Sequence, residues 1–320
     1  MSKTLNRVRV ASVVEVAADI KRFEFVPLNG EPLPPFSPGA HIIVTMRNGE
    51  HVYRNPYSIV ASTPCHSGYV ISVLRSPESR GGSLHMHTRV DAGSELEISD
   101  PVNLFPVVQN ARKHILIAGG IGITPMLAML DQFKKTNANF ELHYAVRAPD
   151  MGAYYSELAS ESDPRVHVYR SDLGERIQLV SVLENQPLGT HLYVCGPQRM
   201  IDWTLDVARH EGWPDENVHW ERFSAPPPGK PFDVKLSRSG KDVHVEEHQS
   251  LLEAIEQAGV EAPYLCRGGA CGQCVTPVVS VEGGTVQHND HYLTDEEKNE
   301  GKQIAICVSR ADGGTLFLDL

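Results

Sequence analysis

The sequence lacks any long apolar run, and this absence limits the classes of protein to which it can belong. No stretch approaches the roughly 18 consecutive apolar residues that a bilayer-spanning helix needs. The first 16 residues also lack the apolar core and cleavage site of a secretory signal. Clusters of lysine and arginine are absent, and the net charge is −11. We therefore expect a cytoplasmic protein, monomeric, that binds neither membranes nor nucleic acid.

Cysteine is scarce, with six residues in 320, and four of the six follow one spacing. Cys266, Cys271 and Cys274 lie in the segment CRGGACGQC, and Cys307 follows in the segment QIAICVSR. The order CxxxxCxxC followed by a distant cysteine is the ligand spacing of plant-type 2Fe-2S ferredoxins. The glycines between the cysteines allow backbone amides to approach the sulfur atoms.

Two other kinds of cysteine site fit this spacing less well. A structural zinc site usually shows two short paired knuckles, whereas here the second half supplies one cysteine and no histidine pair. A redox dithiol would use Cys271 and Cys274 alone and would leave Cys266 and Cys307 without a role. The pattern therefore favours an iron-sulfur cluster that is bound by all four cysteines.

Proline and charge divide the chain into segments. The stretch SAPPPGKP, at 224–231, contains four prolines and a glycine, which is typical of a semi-stiff linker. Residues 233–320 contain 15 acidic and seven basic residues, a net charge of −8. Such a surplus fits a docking face for a basic redox partner, although an ordinary solvated surface explains it about as well.

Apolar periodicity changes near residue 107, and this change predicts the fold class. Residues 5–107 contain short alternating strands separated by glycine and proline, which predicts an antiparallel β-barrel. Residues 108–223 alternate buried strands with amphipathic helices, which predicts a doubly wound α/β domain. The expected domains are a barrel at 1–107, an α/β domain at 108–225, a linker at 226–232 and a cluster domain at 233–320.

Two kinds of glycine segment indicate ligand binding within these domains. SRGGS, at 79–83, places an arginine, two glycines and a hydroxyl before a predicted helix, an arrangement that suits a phosphate monoester. AGGIGITPM, at 118–126, and CGP, at 195–197, follow predicted strands of the α/β domain, where ligands bind at the carboxyl ends of the strands. Taken alone, each glycine segment is more simply a tight turn.

Taken together and in this order, RNPYS, RGGS, GGIGITPM, CGP, ERF and the four cysteines resemble the phthalate dioxygenase reductase family. The resemblance covers essentially the whole chain. It implies a flavin barrel, a nicotinamide domain and a C-terminal ferredoxin domain of the α+β, β-grasp type. It also implies FMN, NADH and a 2Fe-2S cluster as cofactors.

The resemblance assigns roles to individual residues. Arg54, Tyr57 and Ser58 would hold the flavin, with Ser58 near its central nitrogen. This chain has one residue more than the family pattern before Tyr57, so Asn55 is a second candidate for the position of the arginine. The remaining cofactor contacts would be Arg80, Gly81, Gly82 and Ser83 at the flavin phosphate, Gly119, Gly120, Gly122, Thr124, Pro125, Cys195, Gly196 and Pro197 at the nicotinamide, and Phe223 over the flavin.

The resemblance further implies a function. The chain would be the NADH-dependent reductase component of a Rieske-type oxygenase system. Hydride would pass from NADH to FMN, and single electrons would then pass through the cluster to the oxygenase, docked on the acidic domain. No general base is needed, and none is nominated. Asp172 follows the strand VHVYR and is a candidate partner of the adenosine ribose. A carboxylate at this position predicts a preference for NADH over NADPH. The alternative function is a ferredoxin-type carrier or scaffold without NADH oxidation of its own.

Overall fold

The computed structural model describes residues 5–49, 51–63, 67–77, 79–223 and 228–320. Residues 226 and 227 of the predicted linker lie outside the described residues. The strands are β1 (Leu5–Ala17), β2 (Ile20–Pro27), β3 (Ala40–Asn48), β4 (His51–Ser62), β5 (Tyr69–Leu74), β6 (Glu95–Ser99), β7 (Val102–Asn103), β8 (Lys113–Gly119), β9 (Phe140–Val146), β10 (Val166–Arg170), β11 (Thr190–Cys195), β12 (Val218–Glu221), β13 (Phe232–Leu236), β14 (Lys241–Val245), β15 (Val275–Glu282), β16 (Val286–Gln287), β17 (Gln303–Ala305), β18 (Arg310–Ala311) and β19 (Thr315–Leu318). The helices are α1 (Gly82–Arg89), α2 (Ile123–Thr136), α3 (Tyr155–Ala159), α4 (Leu179–Leu183), α5 (Gln198–His210), α6 (Leu251–Gln257) and α7 (Asp295–Glu300). None of the helices in the described ranges has the length and apolar character that a bilayer span requires.

The first six strands form a closed antiparallel barrel. The sheet runs β4-β5-β2-β1-β6-β3, and a further pairing of β4 with β3 closes it, while β7 adds to β3. Alternate residues of β1 and β2, such as Val8, Val10, Phe23 and Phe25, are buried, as expected where one sheet face covers a core. The barrel predicted from the strand pattern is confirmed.

The α/β region is a five-stranded parallel sheet with helices on both faces. The strand order is β10-β9-β8-β11-β12, and every neighbouring pair is parallel. Two apolar clusters cover the sheet, one that includes Phe133 of α2 and one that includes Ile201 of α5. The order starts at β8 and proceeds outward in both directions, so the ends of β8 and β11 form the crevice where such sheets bind ligands.

The C-terminal region is a mixed sheet that packs on one short helix. The order is β14-β13-β19-β15-β17, in which β13 and β19 are parallel and the other pairs are antiparallel. Leu251, Leu252 and Ile255 of α6 are buried with Val234 and Leu316 of the sheet. Ser250 and Glu253 form a capping box at the start of α6. This is the predicted α+β ferredoxin domain.

The chain divides into two compact units. The first consists of Met1–Ile42, Tyr57–Leu74 and Val90–Phe223, and the second consists of Ile43–Pro56, Arg75–Arg89 and Ser224–Leu320. The second unit therefore combines the whole C-terminal domain with two segments of the barrel sequence. One of these segments contains Arg54 and Asn55, and the other contains the RGGS motif.

Buried histidines predict that the free energy of unfolding falls in acid. Burial lowers the pKa of His41 to about 4, whereas an exposed histidine titrates near 6.5. Burial likewise lowers the pKa of His114 and of His143 to about 4. Between pH 4 and pH 6.5 the unfolded chain binds more protons than the folded chain. The free energy of unfolding is therefore highest above pH 6.5 and falls as the pH falls towards 4.

His41 alone is expected to contribute about 3 kcal/mol, because burial lowers its pKa from 6.5 to about 4. Urea unfolding at several pH values between 7 and 4 measures the loss. His41→Gln should show a smaller loss over this range than the wild-type protein. Equal pH dependence of the two proteins would contradict the assignment.

Candidate functional site

The RGGS loop lies directly against strand β4. A Cβ atom at Gly81 would lie 2.7 Å from the hydroxyl of Tyr53, and one at Gly82 would lie 2.6 Å from Nδ2 of Asn55. Gly81 also has a φ of +125°, a conformation that L side chains rarely adopt. Both glycines are therefore required for the close approach of the loop to the strand. Ser83 is buried, and its hydroxyl accepts a hydrogen bond from the amide of Ser76 at 3.2 Å.

Arg54 and Asn55 lie next to each other on β4 but have different partners. Adjacent strand residues point to opposite faces of a sheet. The Asn55 side chain lies against the loop, whereas Arg54 Nη1 donates to Oε2 of Glu256 at 3.1 Å. Arg80 Nη1 similarly donates to Oε2 of Glu253 at 2.8 Å. Asn55 therefore lies next to the RGGS loop, and the assignment of either residue to the flavin stays a prediction.

In the first unit, Ser58 presents a buried hydroxyl. The residue is 4% exposed, and its Oγ has no hydrogen-bond partner among the described residues. A buried hydroxyl without a partner costs free energy, so a bound ligand that supplies the partner would account for it. Tyr57 beside it is half-buried, and Phe223 is 46% exposed. The buried hydroxyl of Ser58 fits a ligand with polar ring atoms, such as a flavin.

The two predicted nicotinamide loops meet through their glycines. A Cβ atom at Gly122 would lie 2.3 Å from the carbonyl oxygen of Cys195, and one at Gly119 would lie 2.7 Å from Cδ of Pro197. A Cβ atom at Gly196 would lie 3.0 Å from the amide nitrogen of Gly119. The loop after β8 and the loop after β11 are therefore in backbone contact at the carboxyl edge of the parallel sheet.

The start of α2 lies at this edge. Its N-cap is Gly122, no side chain caps the helix, and no acidic residue lies in the first turn. The amide of Ile123 donates to the carbonyls of Gly120 and Ile121, so the turn before α2 partly satisfies this end of the helix. Thr124 is buried, and its hydroxyl donates to the carbonyl of Ile121 at 2.9 Å, so it holds the loop. Cys195 is fully buried, which raises the pKa of its thiol.

Substitution of Gly122 by alanine is expected to separate the two loops. The new carbon would lie 2.3 Å from one backbone atom and 2.7 Å from the amide of Gly196, and neither can move without its loop. We expect kcat/KM for NADH to fall by roughly 100-fold, because a 1 Å displacement of a positioned reactant costs about that much. Steady-state kinetics measures the fall. Reduction of the bound cofactors by dithionite should be unchanged in this variant. An unaltered kcat/KM for NADH would contradict the role of the contact between the two loops.

The four cysteines of the spacing lie in two pairs. Cys274 immediately precedes β15 and Cys307 follows β17, and these strands pair with Val275 opposite Ala305. This register places the Cys274 and Cys307 sulfurs 3.2 Å apart. Cys266 and Cys271 are hydrogen-bonded to each other within the glycine loop. No group of three or more metal-binding side chains surrounds a single point among the residues described.

Two thiol pairs fit a two-iron cluster better than a single metal ion. A 2Fe-2S cluster takes four thiolates, two on each iron, whereas a zinc ion needs its ligands around one point. The hydrogen bond between Cys266 and Cys271 lowers the pKa of Cys266 and raises that of Cys271, and the amide of Gly268 adds to the lowering at Cys266. The residues that would hold the cluster are Cys266, Cys271, Cys274 and Cys307.

Glycine also determines the shape of the cluster loop. Gly272 has a φ of +71°, and a Cβ atom there would lie 2.3 Å from the ring of Tyr292. Gly269 has a φ of +76°, and its Cβ would lie 2.8 Å from Val308. Both glycines allow the loop to fold closely against neighbouring residues, and Cys274 and Cys307 are almost fully buried.

Comparison with known proteins identifies the family. Residues 99–218 match the family "Dimethylamine monooxygenase subunit DmmA-like, N-terminal domain", and residues 234–312 match the "2Fe-2S iron-sulfur cluster binding domain". The chain is 44% identical over 317 residues to the heme-dependent oxidative N-demethylase beta subunit of Ectopseudomonas mendocina, covering 99% of both chains. It is 39% identical over 322 residues to the phthalate dioxygenase reductase of Burkholderia cepacia, covering 98% of this chain and 97% of that one.

A solved structure agrees over the same length. The structure titled "Phthalate dioxygenase reductase: a modular structure for electron transfer from pyridine nucleotides to [2Fe-2S]" matches with a TM-score of 0.89 and 38% identity, covering 99% of this chain and 98% of that chain. The chain belongs to the phthalate dioxygenase reductase family. It is an oxidoreductase of this family, with a 2Fe-2S domain at its C-terminal end. The cofactors expected from the sequence, FMN, NADH and a 2Fe-2S cluster, are those of the phthalate dioxygenase reductase family.

Asp172 is in the place expected for a ribose partner but has a partner of its own. It follows β10 at the carboxyl edge of the parallel sheet, and Arg170 Nη2 donates to its Oδ2 at 2.8 Å. This hydrogen bond lowers the pKa of the Asp172 carboxyl group. The side chain of Asp172 is 35% exposed. A role in this reductase at the ribose remains a prediction.

The structure adds functional candidates that sequence reasoning missed. Tyr53 contacts the RGGS loop. Glu253 pairs with Arg80 and Glu256 with Arg54, the two arginines that the sequence assigned to the flavin. The capping-box pattern of Ser250 and Glu253 is visible in the sequence. The partner of Glu253 is 173 residues away along the chain, so no local pattern identifies it.

Proposed function

We propose that this chain is an NADH-dependent reductase that delivers single electrons to a Rieske-type terminal oxygenase component. The observation that carries the proposal is the presence, in one chain, of two thiol pairs and of a glycine crevice for a nucleotide. Full-length similarity to reductase components of oxygenase systems supports it. The close approach of Gly122 to Cys195 supports nucleotide binding over the alternative of a carrier without NADH oxidation.

The cofactors supply the chemistry, and the protein positions them. A flavin takes two electrons from NADH and releases them one at a time to a one-electron cluster. Ser58 would donate a hydrogen bond to the flavin ring, while Arg80, Gly81, Gly82 and Ser83 would bind its phosphate. Gly119, Gly122 and Gly196 would admit the nicotinamide close to the backbone. None of these steps requires a general base.

The flavin is proposed to be FMN. The RGGS loop offers backbone amides and the guanidinium group of Arg80, which suit the doubly charged phosphate at the end of FMN. Acid extraction of the purified protein followed by chromatography identifies the flavin. FAD as the main species would contradict this proposal and leave the rest intact.

We expect NADH to be preferred over NADPH. Asp172 lies at the end of β10, and a carboxylate there accepts a hydrogen bond from a ribose hydroxyl but repels the 2′-phosphate of NADPH. The ratio of kcat/KM for the two cofactors measures the preference. Asp172→Asn should reduce the ratio, because the amide keeps the shape and removes the charge. Equal efficiency of the wild-type protein with both cofactors would contradict the expectation.

The electron acceptor is proposed to dock on the acidic C-terminal domain. Carboxylates such as Glu246 and Glu247 are exposed, with side chains that are 63% and 61% exposed. Complementary charge accelerates the encounter of two proteins, and salt screens it over about 8 Å at physiological ionic strength. Electron delivery should therefore slow as ionic strength rises.

A second class of acceptor is favoured by one specific observation. The relative from Ectopseudomonas mendocina, 44% identical, is named a subunit of a heme-dependent oxidative N-demethylase, and residues 99–218 match a family named for dimethylamine monooxygenase. On this basis the acceptor would be a heme-containing demethylase of methylated amines. The cofactor route within this chain would be the same.

Reconstitution distinguishes the two acceptors. The purified reductase and NADH are mixed with a Rieske oxygenase or with a heme-dependent N-demethylase, and product formation is followed over a salt series. Product formation with the Rieske oxygenase but not with the heme-dependent enzyme supports the first proposal. Product formation with the heme-dependent enzyme but not with the Rieske oxygenase supports the second. Turnover with neither, in the presence of NADH oxidation, would contradict both acceptors.

A further inference from the structure

The second compact unit contains an ion-pair network between the barrel segments and helix α6. Arg80 donates to Glu253 at 2.8 Å, and Arg54 donates to Glu256 at 3.1 Å. The two glutamates are three residues apart and therefore lie on the same side of the helix. Helix α6 is thus held at two points, by arginines that come from different segments of the barrel sequence.

Glu256 extends the network to the cluster loop. Its second carboxylate oxygen pairs with Nη2 of Arg267, which directly follows the cluster ligand Cys266. Arg267 has a φ of +53°, a conformation that a non-glycine residue keeps only where its surroundings hold it. Its guanidinium carbon also lies 3.8 Å from the ring centre of Tyr264. A continuous path of contacts therefore runs from Arg54 through Glu256 to the cluster loop.

These pairs are shielded from solvent. The side chains of Arg80 and Glu253 are 17% and 7% exposed, and that of Arg267 is 3% exposed. Exposed ion pairs contribute little to stability, whereas removal of one partner from a shielded pair leaves a charge that water cannot reach. The network can therefore fix the geometry of the segments that it joins.

We propose that Glu253 and Glu256 are positioning residues that hold the cluster loop at a fixed distance from the flavin-binding segments and so set the rate of electron transfer from flavin to cluster. The inference rests on the proposed function, because it requires Arg54 and Arg80 to lie in the flavin-binding segments. In this step the reduced flavin loses one electron and the cluster gains it, with NADH as the source. Arg80 keeps further N–H groups for the flavin phosphate, since a guanidinium has five.

Glutamate-to-glutamine variants of the full-length holoprotein test the proposal. Glutamine at 253 keeps the capping box and removes only the charge. Glu297→Gln is the matched control, because Glu297 has the same place in the capping box of α7 and accepts from the amide of Thr294 at 2.8 Å. Stopped-flow absorbance after mixing with NADH follows flavin bleaching and cluster reduction separately. Hydrogen exchange of the oxidised protein, without NADH, follows residues 79–89 and 251–257.

We expect Glu253→Gln and Glu256→Gln each to slow cluster reduction about tenfold, because each variant loses the charge that holds one contact, and a displacement of about 1 Å of a positioned reactant can cost up to roughly 100-fold. The double variant should be slower still, flavin bleaching should be unchanged, and exchange should be faster in both segments. Behaviour equal to that of Glu297→Gln in both measurements would overturn the proposal. Faster exchange with unaltered cluster reduction would also overturn it.

Failure of the proposed function gives a different result. If NADH does not bleach the flavin of the wild-type protein, the proposed function is wrong whatever the variants do. The exchange measurement then still shows whether the two glutamates hold the segments together. If NADH bleaches the flavin normally in the wild-type protein and in every variant, a slower cluster reduction in the variants reports the positioning role alone.

Discussion

Substitution of Cys307 by serine is expected to abolish electron delivery while sparing reduction of the flavin by NADH. The serine leaves Cys274 without the sulfur that lies 3.2 Å from it. Substitutions of groups that only orient a metal ligand already cost about 10- to 100-fold, so loss of a ligand should cost at least that. Absorbance and electron paramagnetic resonance report the cluster, and NADH-driven reduction of ferricyanide reports the flavin.

Cys65→Ser is the control for this substitution, because Cys65 is outside the ligand spacing. The control should keep its cluster and its activity with the oxygenase. Full oxygenase turnover by Cys307→Ser would contradict the electron path. Loss of ferricyanide reduction along with the cluster would show that the serine disturbs more than the cluster domain.

Substitution of Arg80 by alanine is expected to weaken FMN binding by about 100-fold and to leave riboflavin binding nearly unchanged. Charge-assisted hydrogen bonds contribute roughly 1.5 to 3 kcal/mol each, and riboflavin lacks the phosphate that would receive them. Flavin fluorescence during titration of the apoprotein measures both dissociation constants. The ratio of the two constants isolates the phosphate contact from any general loosening of the loop.

Arg89→Ala is the control for charge, because Arg89 is exposed at the far end of α1. It should leave both dissociation constants unchanged. An equal loss of FMN and riboflavin affinity in Arg80→Ala would mean that the RGGS loop does not bind the phosphate. The predicted site would then be wrong even though the family and the fold are right.

Much of the fold could be predicted from the sequence because it depends on local patterns. The short alternating strands at 5–107 predicted the barrel, and the alternation of buried strands with amphipathic helices at 108–223 predicted the α/β domain. Cysteine spacing identified Cys266, Cys271, Cys274 and Cys307 as candidate cluster ligands, because the spacing is that of plant-type ferredoxins. In each case the residues that form the feature are close in sequence or follow a fixed period.

The parts that were not predicted depend on contacts between distant residues. The choice between Arg54 and Asn55 was open in the sequence, because one extra residue in a strand reverses which side chain faces which way. The structure shows Asn55 against Gly82 and Arg54 paired with Glu256, 202 residues away. The sequence placed residues 251–257 only within the predicted ferredoxin domain, with no sign of the arginine partners of α6.

Anaerobic stopped-flow mixing of the purified holoprotein with NADH tests the central claim most directly. Absorbance at a flavin wavelength and at a cluster wavelength is followed in the same reaction. The electron path predicts that the flavin bleaches first, that cluster reduction follows, and that Cys307→Ser shows only the first phase. A flavin and a cluster that both stay oxidised in the presence of NADH, while dithionite reduces them, would contradict it.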